Sequence, residues 1–207
     1  MSLDFEVYKR AGRDPYEPIL FAGSLNAPLA FFGRDLGKDE VLYGQPLIGG
    51  AGRRVRSALY SLIEGKKPSE LNRELPEILD RILLTNTVPY KPVGNMAYPV
   101  AVKERFRPYI EALLACYWTG SHIITLGREA FFWFEKYAGK EAISEHWARD
   151  ERFETQIECS IISDATGEPT GKNVTIAPLP HPSPLNAAYL RKFPELLRKR
   201  LDLTGLF

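Results

Sequence analysis

Leu29-Ala-Phe-Phe-Gly33 is a short apolar run that breaks into Arg34-Asp-Leu-Gly37, a loop closed by a second glycine. A run without helical period that ends at once in a turn reads as a strand buried on both faces. Three more runs share its character: Ile82-Leu-Leu-Thr-Asn-Thr-Val88, His122-Ile-Ile-Thr-Leu126 and Val174-Thr-Ile-Ala-Pro-Leu179. Between them lie segments of helical period. Residues 53–64 place Val55, Ala58, Leu59, Leu62 and Ile63 on one side before Gly65 stops them, and 102–117, 128–137 and 187–201 read as helices too. Strands alternating with helices predict a three-layer α/β/α sandwich with a mainly parallel, four-stranded central sheet. Residues 139–172 interrupt the rhythm. Partial alternation over 153–162 and the turn-rich Asp164-Ala-Thr-Gly-Glu-Pro-Thr-Gly171 predict a hairpin inserted before the last strand of a single domain spanning 1–207.

With 27 basic and 26 acidic side chains the formal charge is +1 over 207 residues, which excludes a polybasic protein that binds through bulk charge. A nucleic-acid partner would need a local basic face. Arg53, Arg54 and Arg56, with Arg191 and Lys192, could supply one, although arginines on an amphipathic helix are most often a solvated face. Cys116 and Cys159 are too few for a disulfide framework, a four-cysteine zinc site or a four-cysteine iron–sulfur cluster. No run approaches the roughly 18 apolar residues of a membrane span. The first ten residues carry acids where a signal peptide would be apolar, so the expectation is a cytoplasmic protein without a membrane partner.

In open α/β sheets, ligands sit beyond the carboxyl ends of the strands. Three such ends carry one functional group each: Asp35 after the first run, Asn86 within the second, and His181 after the fourth. An amide donates one hydrogen bond and accepts another, which suits a base edge with adjacent C=O and N–H. A carboxylate beneath a sugar cation and an imidazole donor on the departing group suit cleavage of a glycosidic bond. Pro180, Pro182 and Pro184 stiffen the loop around His181, and Leu185 at its tip is apolar where a solvent-facing loop is usually polar, as in a wedge inserted between bases. Plainer roles stand beside these. Asp35 could cap a turn and Asn86 could tie down its own loop. Ser183 could cap the following helix, and Leu185 could be a hydrophobic staple. His122 and His146 read as structural, Cys116 as a buried thiol, and Phe131-Phe-Trp-Phe134 as core.

Taken in order along residues 20–200, these motifs resemble the uracil-DNA glycosylase superfamily, and its thermostable, normally iron–sulfur-containing branch most closely. Gly33-Arg-Asp-Leu-Gly37 followed by Gly44-Gln-Pro-Leu-Ile-Gly-Gly-Ala-Gly52 is similar to that branch's glycine-rich motif and its G-x-P-F-V-G-x-A-G stretch. Thr85-Asn-Thr-Val-Pro-Tyr-Lys-Pro-Val-Gly-Asn95 is similar to T-N-x-V-K-C-R-P-P-x-N, Leu126-Gly-Arg-Glu-Ala130 to L-G-x-x-A, and His181-Pro-Ser-Pro-Leu185 to the H-P-S-P-L loop of the classical uracil enzymes.

The resemblance implies that Asp35 positions water and offsets the sugar's positive charge, while His181 stabilises the departing base. Gly33, Arg34, Leu47 and Asn86 frame and read that base, with Leu185 as the intercalating residue. Arg53, Ser183, Pro184 and Asn186 contact DNA beside it. The implied partner is DNA containing a damaged base, met by a monomer that uses no metal, nucleotide or redox cofactor. Tyr90 and Phe106 stand where the branch has two cluster cysteines, so aromatic packing is expected in the cluster's place. Arg34 replaces a glutamate or glutamine, Leu47 a phenylalanine that stacks on the base, and Gly37 a tyrosine that excludes thymine, so a roomier pocket is expected. The implied activity is a monofunctional DNA glycosylase acting on uracil or a related deaminated base. Two other readings fit the same residues: a catalytically silent nucleic-acid-binding member, and a hydrolase of free nucleosides.

Overall fold

The structure, a computed structural model, describes residues 2–69, 75–183 and 186–206. In chain order the elements are α1 (Phe5–Ala11), β1 (Phe21–Gly23), β2 (Leu29–Asp35), α2 (Lys38–Tyr43), α3 (Gly50–Glu64), α4 (Pro76–Leu79), β3 (Ile82–Val88) and α5 (Val100–Ala112). They continue with β4 (His122–Leu126), α6 (Arg128–Phe132), α7 (Glu135–Ala138), α8 (Lys140–Ala148), β5 (Ile157–Ser163), β6 (Thr170–Leu179), α9 (Ala187–Leu190) and α10 (Phe193–Thr204).

The sheet order is β1-β3-β2-β4-β6-β5. Its middle four strands run parallel, and they are the four apolar runs of the sequence. The sheet nonetheless has six strands, because β1 and β5 add antiparallel edges. β1 has three residues, too few to show a period. β5 alternates buried and exposed positions, as suits an edge strand with one face in solvent. The expected hairpin is β5 paired with β6, so the last strand is itself one arm of it and begins at Thr170. The segment before it holds α8, which periodicity did not reveal.

β2 and β3 are buried along almost their whole length, which is why they read as continuous apolar runs. Leu29 and Phe31 face a core with Val55 and Leu59 of α3 and Leu197 and Leu201 of α10. Ala30 and Phe32 face the other, with Ile110 of α5, Phe131 of α6, Phe134 just before α7, and Ile143 of α8. The aromatic run from Phe131 to Phe134 therefore packs this second layer. A third cluster joins Leu3 and Tyr8 from the amino-terminal segment to Val88, Tyr90 and Tyr98, with Phe106 against it.

All four helices differ from their periodic outlines, α3 only by starting at Gly50 instead of Arg53. The one expected over 187–201 divides into α9 and α10 at Arg191 and Lys192, with Pro194 in the first turn of α10. The one over 128–137 divides into α6 and α7. The one over 102–117 begins at Val100 and finishes as a π-helical turn, Leu113–Tyr117, leading to buried Trp118, whose indole N–H donates to the Ala27 carbonyl at 2.6 Å.

Candidate active site

The carboxyl ends of the parallel strands place the three candidate groups along one rim. Gly33 of β2 pairs with Asn86 of β3, so both lie on the face occupied by Phe31, Leu84 and Leu47, and Asp35 follows two residues later on the same face. Leu126 of β4 pairs with Leu179 of β6. This brings Gly127 under His181: a Cβ on Gly127, whose φ is +88°, would lie 3.1 Å from that of His181.

Asn86 is the most informative side chain. It is 1% exposed, yet neither its amide nitrogen nor its oxygen has a hydrogen-bond partner among the described residues. Leaving such a group unpaired costs about 1–3 kcal/mol, so the site is complete only with a ligand or water there. Its Oδ1 would lie 2.2 Å from a Cβ on Gly33, and Leu47 Cδ2 would lie 3.2 Å from the same atom. Gly33 is thus the residue that lets the amide and the apolar side chain of Leu47 close on one point.

Leu47 adopts φ +53°, a strained value for a branched residue, and its loop is held from below. Arg56, fully buried, donates from Nε to the Leu47 carbonyl at 2.8 Å and from Nη2 to the Pro46 carbonyl at 3.0 Å and Gln45 Oε1 at 3.1 Å. This corrects the reading of Arg56 as part of a basic face. Arg53 stands part-buried in the first turn of α3, while Arg191 and Lys192 are exposed.

A buried glutamate that the sequence reading missed joins the two loops. Glu40 accepts from the Gly37 N–H at 2.9 Å and from the Gly49 N–H at 2.8 Å. Glycine at the N-cap has no side chain to complete a capping box, so the one local signal was a glutamate at the third position of α2, where its carboxylate can reach back to the N-cap N–H. A Cβ on Gly37 would meet Glu40 Oε2 at 2.4 Å, so the space expected to open there is filled by the Glu40 carboxylate. A cleft of about 370 Å³ beside these loops is lined in part by Gly37, Glu40, Gly49, Lys91 and Asn95.

The Asp35 side chain is 1% exposed, with Arg34 Nε 2.8 Å from its Oδ2. Burial pushes its carboxyl above the usual range, and the Arg34 and Lys103 charges and the Tyr98 backbone N–H pull it back. Lys103 of α5 is in turn paired at 2.5 Å with Glu129 of α6, a contact between helices that periodicity could not show. Arg34, expected to frame the base, reaches with Nη2 to the Asn95 carbonyl at 3.1 Å.

The final loop is closed by its own backbone and side chains. Ser183 N–H donates to the His181 carbonyl at 2.8 Å, and Asn186 Nδ2 reaches the same carbonyl at 3.3 Å. Arg54 ties the loop to α3 through the Pro182 carbonyl at 3.4 Å. Pro184 and Leu185 lie outside the described residues.

Residues 21–203 match the family described as the uracil DNA glycosylase superfamily. The chain belongs to that superfamily. A search of curated proteins finds no matching relative. Members of the superfamily are typically DNA glycosylases, and the rim of strand ends described above falls within the matched span. The iron–sulfur cluster of the branch it resembles does not fit here. Positions 90 and 106 offer no thiolate, and the Tyr90 and Phe106 rings pack with centroids 5.3 Å apart. Among the described residues no helix is long and apolar enough to cross a membrane.

His122 and His146 make internal contacts, with Thr175 Oγ1 at 2.8 Å and the Arg152 carbonyl at 3.2 Å. Cys159 is buried, whereas Cys116, expected to be buried, is only part-buried at the end of its helix. His181 is exposed by area, but the protein crowding its ring and the Arg34 charge both lower its pKa below 6.5. Burial lowers that of His146 as well. Unfolded chains therefore take up protons that the native imidazoles refuse, and stability falls as pH drops below 6.5. Thermal unfolding between pH 7.5 and pH 5 should show this slope, with a shallower one in His181→Gln; an identical slope would mean that His181 titrates as a free imidazole.

Proposed function

We infer that this member of the superfamily is a monofunctional DNA glycosylase that hydrolyses the N-glycosidic bond of a flipped, deaminated base, uracil or a close relative. The unpaired, buried carboxamide of Asn86 against Gly33 carries this reading, because its donor and acceptor lie together at a rim that also holds Asp35 and His181. A deaminated base presents a C=O and an N–H side by side and would pair with both atoms of one amide.

In this mechanism Asn86 reads the base edge while Gly33 and Leu47 close on its plane. Neutral His181 donates a hydrogen bond to the base oxygen that gains negative charge as the C1′–N bond lengthens. Asp35, as a carboxylate, offsets the oxocarbenium charge on the sugar and orients the water that adds to C1′. The base departs as an anion stabilised by His181 and Asn86, and the water's proton passes to solvent. Arg53, Ser183 and Asn186 are assigned to DNA phosphates in this reading, and Pro184 and Leu185 to the space vacated in the duplex. In this reading the chain acts as a monomer on damaged DNA in the cytoplasm, with no cofactor in the scheme.

The deciding experiment is a panel of labelled oligonucleotides bearing uracil, hypoxanthine, xanthine or mismatched thymine, single- and double-stranded. Abasic sites should form on at least one substrate, and His181→Ala should slow their formation by about 10²–10³-fold. Salt-sensitive DNA binding without abasic sites would instead make the chain a silent binder. Cleavage confined to free nucleosides would replace DNA as the substrate.

A further inference from the structure

We propose that Arg34 is a positioning residue: its guanidinium, fixed between the Asp35 carboxylate and the Asn95 carbonyl, keeps Asp35 charged and aligned. The proposal rests on the glycosylase reading for its catalytic consequence, but its structural content stands apart from it.

Neighbours on a strand normally point to opposite faces. Arg34 and Asp35 nonetheless meet at 2.8 Å, so the arginine side chain turns back across the end of β2. Both ends of that path are held. Thr87 Oγ1 donates to the Arg34 carbonyl at 2.5 Å, and Arg34 Nη2 donates to Asn95 O at 3.1 Å in the loop after β3. The guanidinium is about a third exposed, whereas the carboxylate it covers is nearly inaccessible. An ionised carboxylate so placed needs a charged partner or hydrogen-bond donors. Besides the Tyr98 backbone N–H, the group that meets Asp35 at contact distance among the described residues is the Arg34 guanidinium.

The other charged groups around Asp35 are engaged elsewhere. Lys103 from α5 is in contact with Glu129 of α6 at 2.5 Å. Lys91, in the loop after β3, is held by the Pro92 and Gly94 carbonyls and lies 3.7 Å from Asp4, with Glu40 of α2 near it. Tyr98 presents a phenol that burial keeps protonated. From the final loop, His181 senses the same arginine charge, which favours its neutral form. Among the described cations, Arg34 is therefore the one in contact with Asp35, and its charge favours the ionisation state that the mechanism requires of each partner. A planar fork can touch carboxylate and carbonyl together, which a lysine ammonium cannot match.

The test compares wild type, Arg34→Gln and Arg34→Lys by following the Asp35 side-chain carboxyl carbon by NMR through a pH titration, assigned with Asp35→Asn. In Arg34→Gln the Asp35 midpoint should rise by about 1–3 pH units, and Arg34→Lys should restore part of the change. The acidic limb of the cleavage-rate profile should move upward with the midpoint, so that activity lost at neutral pH is regained in part toward pH 9. An unchanged midpoint would overturn the proposal, and so would a rate loss equal at every pH, which would place Arg34 on the substrate instead. If wild type cleaves nothing, the glycosylase reading fails while the titration still decides the role of Arg34.

Discussion

Asp35→Asn should lower the cleavage rate by about 10²–10⁴-fold while making the folded protein more stable at pH 7. The activity loss follows from removing the carboxylate that, in this mechanism, faces the sugar cation and orients water. The stability gain follows from the sign of its titration. Burial raises the native carboxyl above the unfolded value of 3.8, so between those values the native state binds the proton more tightly than the unfolded chain. Stability from this group is therefore lost as pH rises through the native midpoint and stays lost above it. Asparagine carries no charge and removes that penalty. Arg34 then loses its partner, but it is about a third exposed and remains solvated. The gain should fade below pH 3.8, where aspartate is protonated in both states. Thermal unfolding at pH 7.5, 5 and 3.5 checks this; a variant less stable than wild type at pH 7.5 would mean that the ion pair outweighs desolvation. Activity sites that cost stability are a common pattern.

Arg56→Met should have the largest effect on stability. The change keeps most of the side-chain volume but removes the donors to the Leu47 and Pro46 carbonyls, which sit beneath the loop. Two buried carbonyls left unpaired cost about 1–3 kcal/mol each. For a chain of this size that corresponds to a fall in Tm of roughly 5–15 °C. Leu47 would also lose what holds its left-handed backbone, so KM for cleavage should rise even where the variant is fully folded. A Tm within two or so degrees of wild type would show that other donors reach these carbonyls.

The same arginine shows where sequence reading ends. On the helical wheel Arg53 faces away from the apolar stripe while Arg54 and Arg56 fall on its two borders, yet of those two Arg56 is buried and Arg54 reaches the Pro182 carbonyl. What separates them is the loop that α3 packs against, and helical period describes one helix alone. Arg34 is similar. Its charge was visible, but the destination of a long side chain depends on Asn95, 61 residues away. Glu40 stood at the third position of a helix, where a glutamate can reach back to the N-cap N–H, so its first bond was open to a local reading. Its second bond, to Gly49, was not.

The sequence alone determined the parallel core and the edge of the sheet that carries Asp35, Asn86 and His181. Strands buried on both faces must be continuously apolar, and the ends of parallel strands necessarily share one edge of the sheet. The ordered motifs likewise placed the chain in its superfamily, whose match covers residues 21–203. Tertiary structure alone decided the short antiparallel edge β1, the division of the last helix, the burial of Arg56 and the contact of Arg34 with Asp35. Each of these depends on partners distant in the chain. Local pattern records which face of an element must avoid water; it does not record which neighbour will cover that face.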